Sequence, residues 1–80
     1  MERQSILDKL REIIASSVAQ PGLVLTEQTS QSDIEGWHSL ENAMIITAIE
    51  EEYHCRFKLT ELLSWKTMGD LIDLIISKQE

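Results

Sequence analysis

In the segment Ser39-Leu40-Glu41-Asn42-Ala43-Met44-Ile45-Ile46-Thr47-Ala48-Ile49-Glu50-Glu51-Glu52-Tyr53, apolar residues recur at the spacing of an α-helix. Ile45, Ile46, Ile49 and Tyr53 stand at i, i+1, i+4 and i+8, which makes one continuous stripe on a turn of 3.6 residues. We read that stripe as the core face of a helix from Ser39, a good N-cap type, to about Tyr53. Leu40, Met44, Thr47, Ala48 and Glu51 fall on a different face, with Glu41 beside its start.

The same region carries the charge of the chain. The formal net charge is −7, and it arises entirely within residues 27–52. Glu27, Asp33, Glu35, Glu41, Glu50, Glu51 and Glu52 lie there without a single Lys or Arg. Before them Arg3, Lys9 and Arg11 balance Glu2, Asp8 and Glu12; after them Arg56, Lys58, Lys66 and Lys78 balance Glu61, Asp70, Asp73 and Glu80. A field of one sign repels phosphate backbones and anionic lipid, and it steers basic protein surfaces toward it. This argues against nucleic acid and membrane surfaces as partners.

Working outward, Ile6, Leu7, Leu10, Ile13, Ile14 and Val18 predict an amphipathic helix, which ends near Ala19 because Pro21 and Gly22 follow. Residues 20–38 read as a long loop, and loops beyond about 12–15 residues are usually functional or disordered. Leu23, Val24, Leu25, Ile34 and Trp37 give this one apolar anchors, so it is expected to be packed down. Beyond Tyr53, Phe57 and Leu59 are read as anchors around a short helical turn from Leu59 to Ser64. Thr67-Met68-Gly69-Asp70 has the form of a capping box with Asp as its acid, and Met68, Leu71, Ile72, Ile75 and Ile76 carry the helical period onward. The expected fold is all-α: a small four-helix bundle of three main helices and one short one, with a long first loop.

Eighty residues of 9.2 kDa hold one core, so residues 1–80 are read as a single domain. A chain this short buries only about 60 % of its unfolded surface, and its stability margin is small. No apolar run exceeds Ala43 to Ile46, and no apolar segment follows Met1-Glu2-Arg3-Gln4, so neither a bilayer span nor a secretory signal is expected. The single cysteine, Cys55, excludes an internal disulfide and fits a reducing cytoplasm. Cys55 beside His54 offers too few ligands for a tetrahedral metal, so Cys55 is read as a buried or half-buried small hydrophobe.

Gly36-Trp37-His38-Ser39-Leu40 is the segment that carries chemistry. At a helix start, backbone N–H groups are unpaired and the dipole favours an anion, so a phosphate ester on Ser39 is stabilised there. By position alone Ser39 reads simply as a cap. The wider pattern resembles the acyl carrier protein family along nearly the whole chain. Ser39-Leu40 opens an acidic helix, as the Asp-Ser-Leu motif does in that family, and Ala48-Ile49-Glu50-Glu51-Glu52-Tyr53 is similar to its Ala-Leu-Glu-Glu-Glu-Phe ending. Thr67-Met68-Gly69-Asp70 resembles the Thr-Val-Gly-Asp opening of the family's final helix. His38 departs from the pattern, because fatty-acid-type carriers have Asp there, whereas peptidyl carriers commonly read Gly-Gly-His-Ser-Leu.

The resemblance implies a discrete carrier rather than an enzyme. It implies 4′-phosphopantetheine, delivered from coenzyme A onto Ser39 by a phosphopantetheinyl transferase, with acyl intermediates held as thioesters in fatty-acid, polyketide or other specialised-metabolite biosynthesis. The alternatives are an aminoacyl or peptidyl carrier, supported by His38, and an acidic helical adaptor that is never modified. A hydrolase using Ser39 and His38 ranks last, since no acid is placed to orient the imidazole. Partner contacts are expected from Trp37, His38, Leu40, Glu41, Met44, Glu50 and Glu51. The partners implied, besides the transferase, are acyl- or aminoacyl-loading and downstream biosynthetic enzymes with basic docking surfaces, met by a cytoplasmic monomer.

Overall fold

A computed structural model describes residues 2–79. Among the described residues four α-helices run in the order α1 (Arg3–Ser17), α2 (Ser39–Tyr53), α3 (Leu59–Ser64) and α4 (Met68–Gln79), with one 3-10 turn, Gln31–Asp33, inside the long first loop. Among the described residues the only strand-like pairing is an isolated antiparallel bridge between Ser30 and Thr67. α1 packs against α2 and α4, and their apolar stripes meet in one core. Ile6, Leu10 and Ile14 of α1, Ile45 and Ile49 of α2, and Met68, Leu71, Ile72 and Ile75 of α4 are all but sealed from solvent. The stripe read from the sequence is therefore core, with Tyr53 half-buried at its end.

The crossover loop is held down by hydrogen bonds as well as by four of its five apolar anchors. Arg11 donates from Nε to the Leu23 carbonyl at 2.7 Å and from Nη2 to the Pro21 carbonyl at 2.6 Å. Further on, the Met68 and Gly69 N–H groups donate to the carbonyls of Thr29 and Glu27 at 2.8 and 2.9 Å. Arg3 bridges Glu27 at 2.7 Å and Asp73 at 2.6 Å, tying α1, the loop and α4 together. Ile34 and Trp37 are buried and Leu23 and Leu25 half-buried, but Val24 is 80 % exposed and anchors nothing. Leu59, also expected to be an anchor, is 71 % exposed. In a helix as short as α3 only one side reaches the core, and Leu62 with the following Trp65 takes that place. α3 is fastened by an ion pair from Lys78 to Glu61 at 2.8 Å.

The expected capping box forms at the start of α4. Asp70 accepts the Thr67 N–H at 3.2 Å and the Lys66 N–H at 3.0 Å, while its own N–H donates to Thr67 Oγ1 at 3.2 Å. Those backbone donors hold the Asp70 carboxyl below its ordinary range. The Ser30 N–H and hydroxyl do the same for Asp33, the Lys58 N–H and Lys78 for Glu61, and Arg3 for Glu27. A carboxylate with a lower pKa folded than unfolded adds stability above its unfolded value, and that stability is lost as pH falls through the folded one. Asp70→Asn is therefore expected to lower Tm near neutrality, and the gap to the native protein should close below about pH 4. Thermal melts of both proteins between neutral and acid pH check this, and a gap constant with pH contradicts it.

Candidate functional site

The site lies where the crossover loop hands over to α2. Gly36 sits at φ 86°, in the left-handed region that glycine enters without strain, and the turn sends Trp37 inward while His38, Ser39 and Leu40 face solvent. Trp37 is only 6 % exposed. Its indole N–H donates to Asn42 Oδ1 at 3.1 Å, and its ring lies 5.8 Å from that of Trp65, tilted by 42°. A large ring whose one donor is satisfied inside the protein gains by burial. Trp37, expected as a partner contact, instead supports the site from beneath.

Ser39 is not the cap of α2. That position belongs to His38, whose backbone is extended (φ −107°, ψ −172°), whose carbonyl accepts the Asn42 N–H at 2.8 Å, and whose N–H donates to Glu41 Oε1 at 3.2 Å. The reason is that Glu41 caps the helix from inside it, so no side chain at its threshold is required for that bond. Ser39 is thus the first residue within the helix, exposed, and its hydroxyl makes no hydrogen bond among the described residues. It stands beside first-turn N–H groups that have no intrahelical acceptor, at the positive end of the helix dipole.

The His38 imidazole makes no capping hydrogen bond. An aspartate there can accept from the first turn and meets the dipole with a negative charge. His38→Asp is expected to stabilise the fold by about 0.5–1 kcal/mol, read by urea unfolding at neutral pH. A variant no more stable than the native protein contradicts the cap assignment. Among the described residues no hydrogen bond joins His38 to Ser39, and none joins a carboxylate to the imidazole.

The remaining contacts expected from the sequence separate into two kinds. Leu40 and Met44, one turn apart on α2, are 68 % and 44 % exposed, and Glu51 is exposed with no ion pair among the described residues. Glu41 and Glu50 are half-buried and hold the fold. Glu41 caps α2, and Glu50 Oε2 accepts the Phe57 N–H at 2.9 Å, tying the end of α2 to the segment before α3. Of the seven acids between residues 27 and 52 only Glu27 is ion-paired, with Arg3, and the other six remain without ion pairs among the described residues.

Sequence reasoning missed Leu63, 76 % exposed, which with Leu59 makes an outward apolar pair on α3. Their spacing of four residues was the available signal, masked by the assumption that apolar residues near a short helix anchor it. Cys55 is half-buried, and burial, with the charge of Glu50 nearby, raises its thiol above the ordinary range. It therefore stays a thiol rather than a thiolate near neutrality. Among the described residues no three His, Cys, Asp or Glu side chains gather to hold a metal ion.

Comparison with known proteins bears on this site. Residues 8–75 match the family described as Phosphopantetheine attachment site. The chain is 31 % identical over 75 residues to an acyl carrier protein of Clostridium perfringens, covering 94 % of this chain and 99 % of that one. It is 30 % identical over 79 residues to an acyl carrier protein of Thermosynechococcus vestitus, covering 98 % and 96 %. The fold superimposes on the solution NMR structure of a holo acyl carrier protein from Geobacter metallireducens with a TM-score of 0.81. That pair is 39 % identical, and the match covers 90 % of this chain and 83 % of that one.

Proposed function

The chain belongs to the acyl carrier protein family, and on that premise we propose that Ser39 is the residue to which its 4′-phosphopantetheine is attached. The chain is a carrier and not an enzyme, and its acyl-carrier relatives favour acyl over aminoacyl cargo. The observation that supports Ser39 most strongly is its place in the helix: an exposed hydroxyl, without a hydrogen bond among the described residues, on the first turn of α2. The residues fit the group. A phosphodiester on Ser39 Oγ would face the open N–H groups of that turn, where the Glu41 carboxylate is turned back onto the His38 N–H.

The transfer forms one oxygen–phosphorus bond at Ser39 Oγ and breaks the pyrophosphate link of coenzyme A. The hydroxyl proton passes to a base of the transferase, and 3′,5′-ADP departs. When attached, the group supplies a thiol at the end of a flexible arm, on which an acyl chain is held as a thioester. The protein's own part is to mount that arm rigidly, so that tethering raises the cargo's effective concentration at each enzyme visited. Leu40 and Met44 offer apolar contact beside the attachment point, and Glu51 steers basic partner surfaces toward it. We place this work in fatty-acid, polyketide or other specialised-metabolite assembly, performed by a monomer in the cytoplasm. Among the described residues no helix is long and apolar enough to cross a membrane.

The test is to incubate the unmodified protein with acetyl-coenzyme A and a broad-specificity phosphopantetheinyl transferase, and to follow intact mass. The mass of the acetylated arm should be gained, and hydroxylamine should then remove only the acetyl group. An adaptor that is never modified gains nothing. Glu51→Lys should slow the transfer by about 3–10-fold at low salt, with stability within about 0.5 kcal/mol of the native protein. Added salt should shrink that difference. Equal rates at low salt leave Glu51 without a steering role.

A further inference from the structure

A crevice of about 320 Å³ opens at Ser39 itself, with Gln31, Trp37, His38 and Asn42 as its other walls. Through Gln31, Trp37 and His38 it runs on into a larger open cleft of about 860 Å³ that reaches Trp65 and Lys66, between the crossover loop and the turn from α3 to α4. The two form one groove leading away from Ser39 on the loop side of the molecule. Two carboxamides on its walls have unpaired groups. Asn42 accepts the Trp37 indole N–H at Oδ1, and its NH2 group has no partner among the described residues. The half-buried Gln31 carboxamide makes no hydrogen bond among them either. Beside these two amides lie the tilted indoles of Trp37 and Trp65, the latter half-exposed.

We infer that this groove is the resting place of the chain's own unloaded arm. The inference rests on the reading that Ser39 carries it. Pantetheine begins with a dimethyl group and a hydroxyl and continues through two amides, and the groove offers the half-exposed Trp65 indole and two carboxamides to such a chain. No free ligand needs to bind tightly, because the tether begins on the groove's rim and holds the arm at an effective concentration on the order of millimolar. Weak contacts then suffice to bias where the arm lies. Resting on the loop side, it leaves Leu40 and Met44 of α2 open to partner enzymes.

The chain has two tryptophans, and both line the groove, so the protein carries its own probe. The native protein is converted with coenzyme A and a broad-specificity transferase, and complete conversion is verified by intact mass. Tryptophan emission should shift on conversion, and nuclear Overhauser contacts should join the arm's dimethyl protons to the Trp65 ring. Gln31→Ala, which leaves both indoles in place, should weaken those contacts several-fold. Full conversion with unchanged emission and no contact to Trp65, or with contacts to the Leu40 or Leu63 methyls instead, overturns the groove. A mass that never changes overturns the attachment reading instead.

Discussion

Ser39→Ala is expected to remain a folded helical protein that gains no mass from coenzyme A and transferase, however long the incubation. The loss is complete because the substitution removes the only oxygen on that side chain able to bond phosphorus. Its stability is expected within about 0.5 kcal/mol of the native protein, since Ser39 lies inside the helix, exposed, and alanine suits that position. Had Ser39 been the cap, the same change would cost about 0.5–2 kcal/mol. One variant thus separates chemistry from architecture: intact mass reads the first, and urea unfolding reads the second. Mass gain by the alanine protein contradicts the site, and a loss well above 0.5 kcal/mol contradicts the place of Ser39 within α2.

Ile72→Ala is expected to cost about 2–5 kcal/mol, because Ile72 is fully enclosed between α4 and the helices it packs on. An 80-residue domain has roughly 4–12 kcal/mol in all. The variant should therefore melt far below the native protein and be partly unfolded at 37 °C. Leu63→Ala, at a residue 76 % exposed, should change stability by no more than about 0.5 kcal/mol. Thermal and urea unfolding of the pair measure how far the core has been placed correctly. Similar losses for both would contradict it.

The helices of this protein are legible in its sequence because each announces itself by period: Ile45, Ile46 and Ile49 on α2, and Leu71, Ile72 and Ile75 on α4, are core residues as their spacing requires. The Thr67–Asp70 box is legible for the same reason, since its partners are three residues apart. What escaped depends on distant partners. Val24 and Leu59 looked like anchors by composition, but which side of a loop or short helix meets the core is set by elements far along the chain. Glu41 and Glu50 looked like a free acidic face, yet each accepts a backbone N–H that only the folded turn brings to it. Trp37 was expected among the partner contacts because nothing in the sequence marks that its ring meets Trp65 and its N–H meets Asn42. Ala19 and His54, at φ 56° and 52°, occupy left-handed turns that a sequence marks only when glycine stands there.

The attachment of the arm to Ser39 is tested most directly by locating it. The native protein, converted with coenzyme A and a phosphopantetheinyl transferase, is digested, and fragmentation assigns the added mass to a residue. One modified residue is expected, Ser39. Modification of any other serine or threonine, or a native protein that stays unmodified with a transferase active on a control carrier, would contradict it.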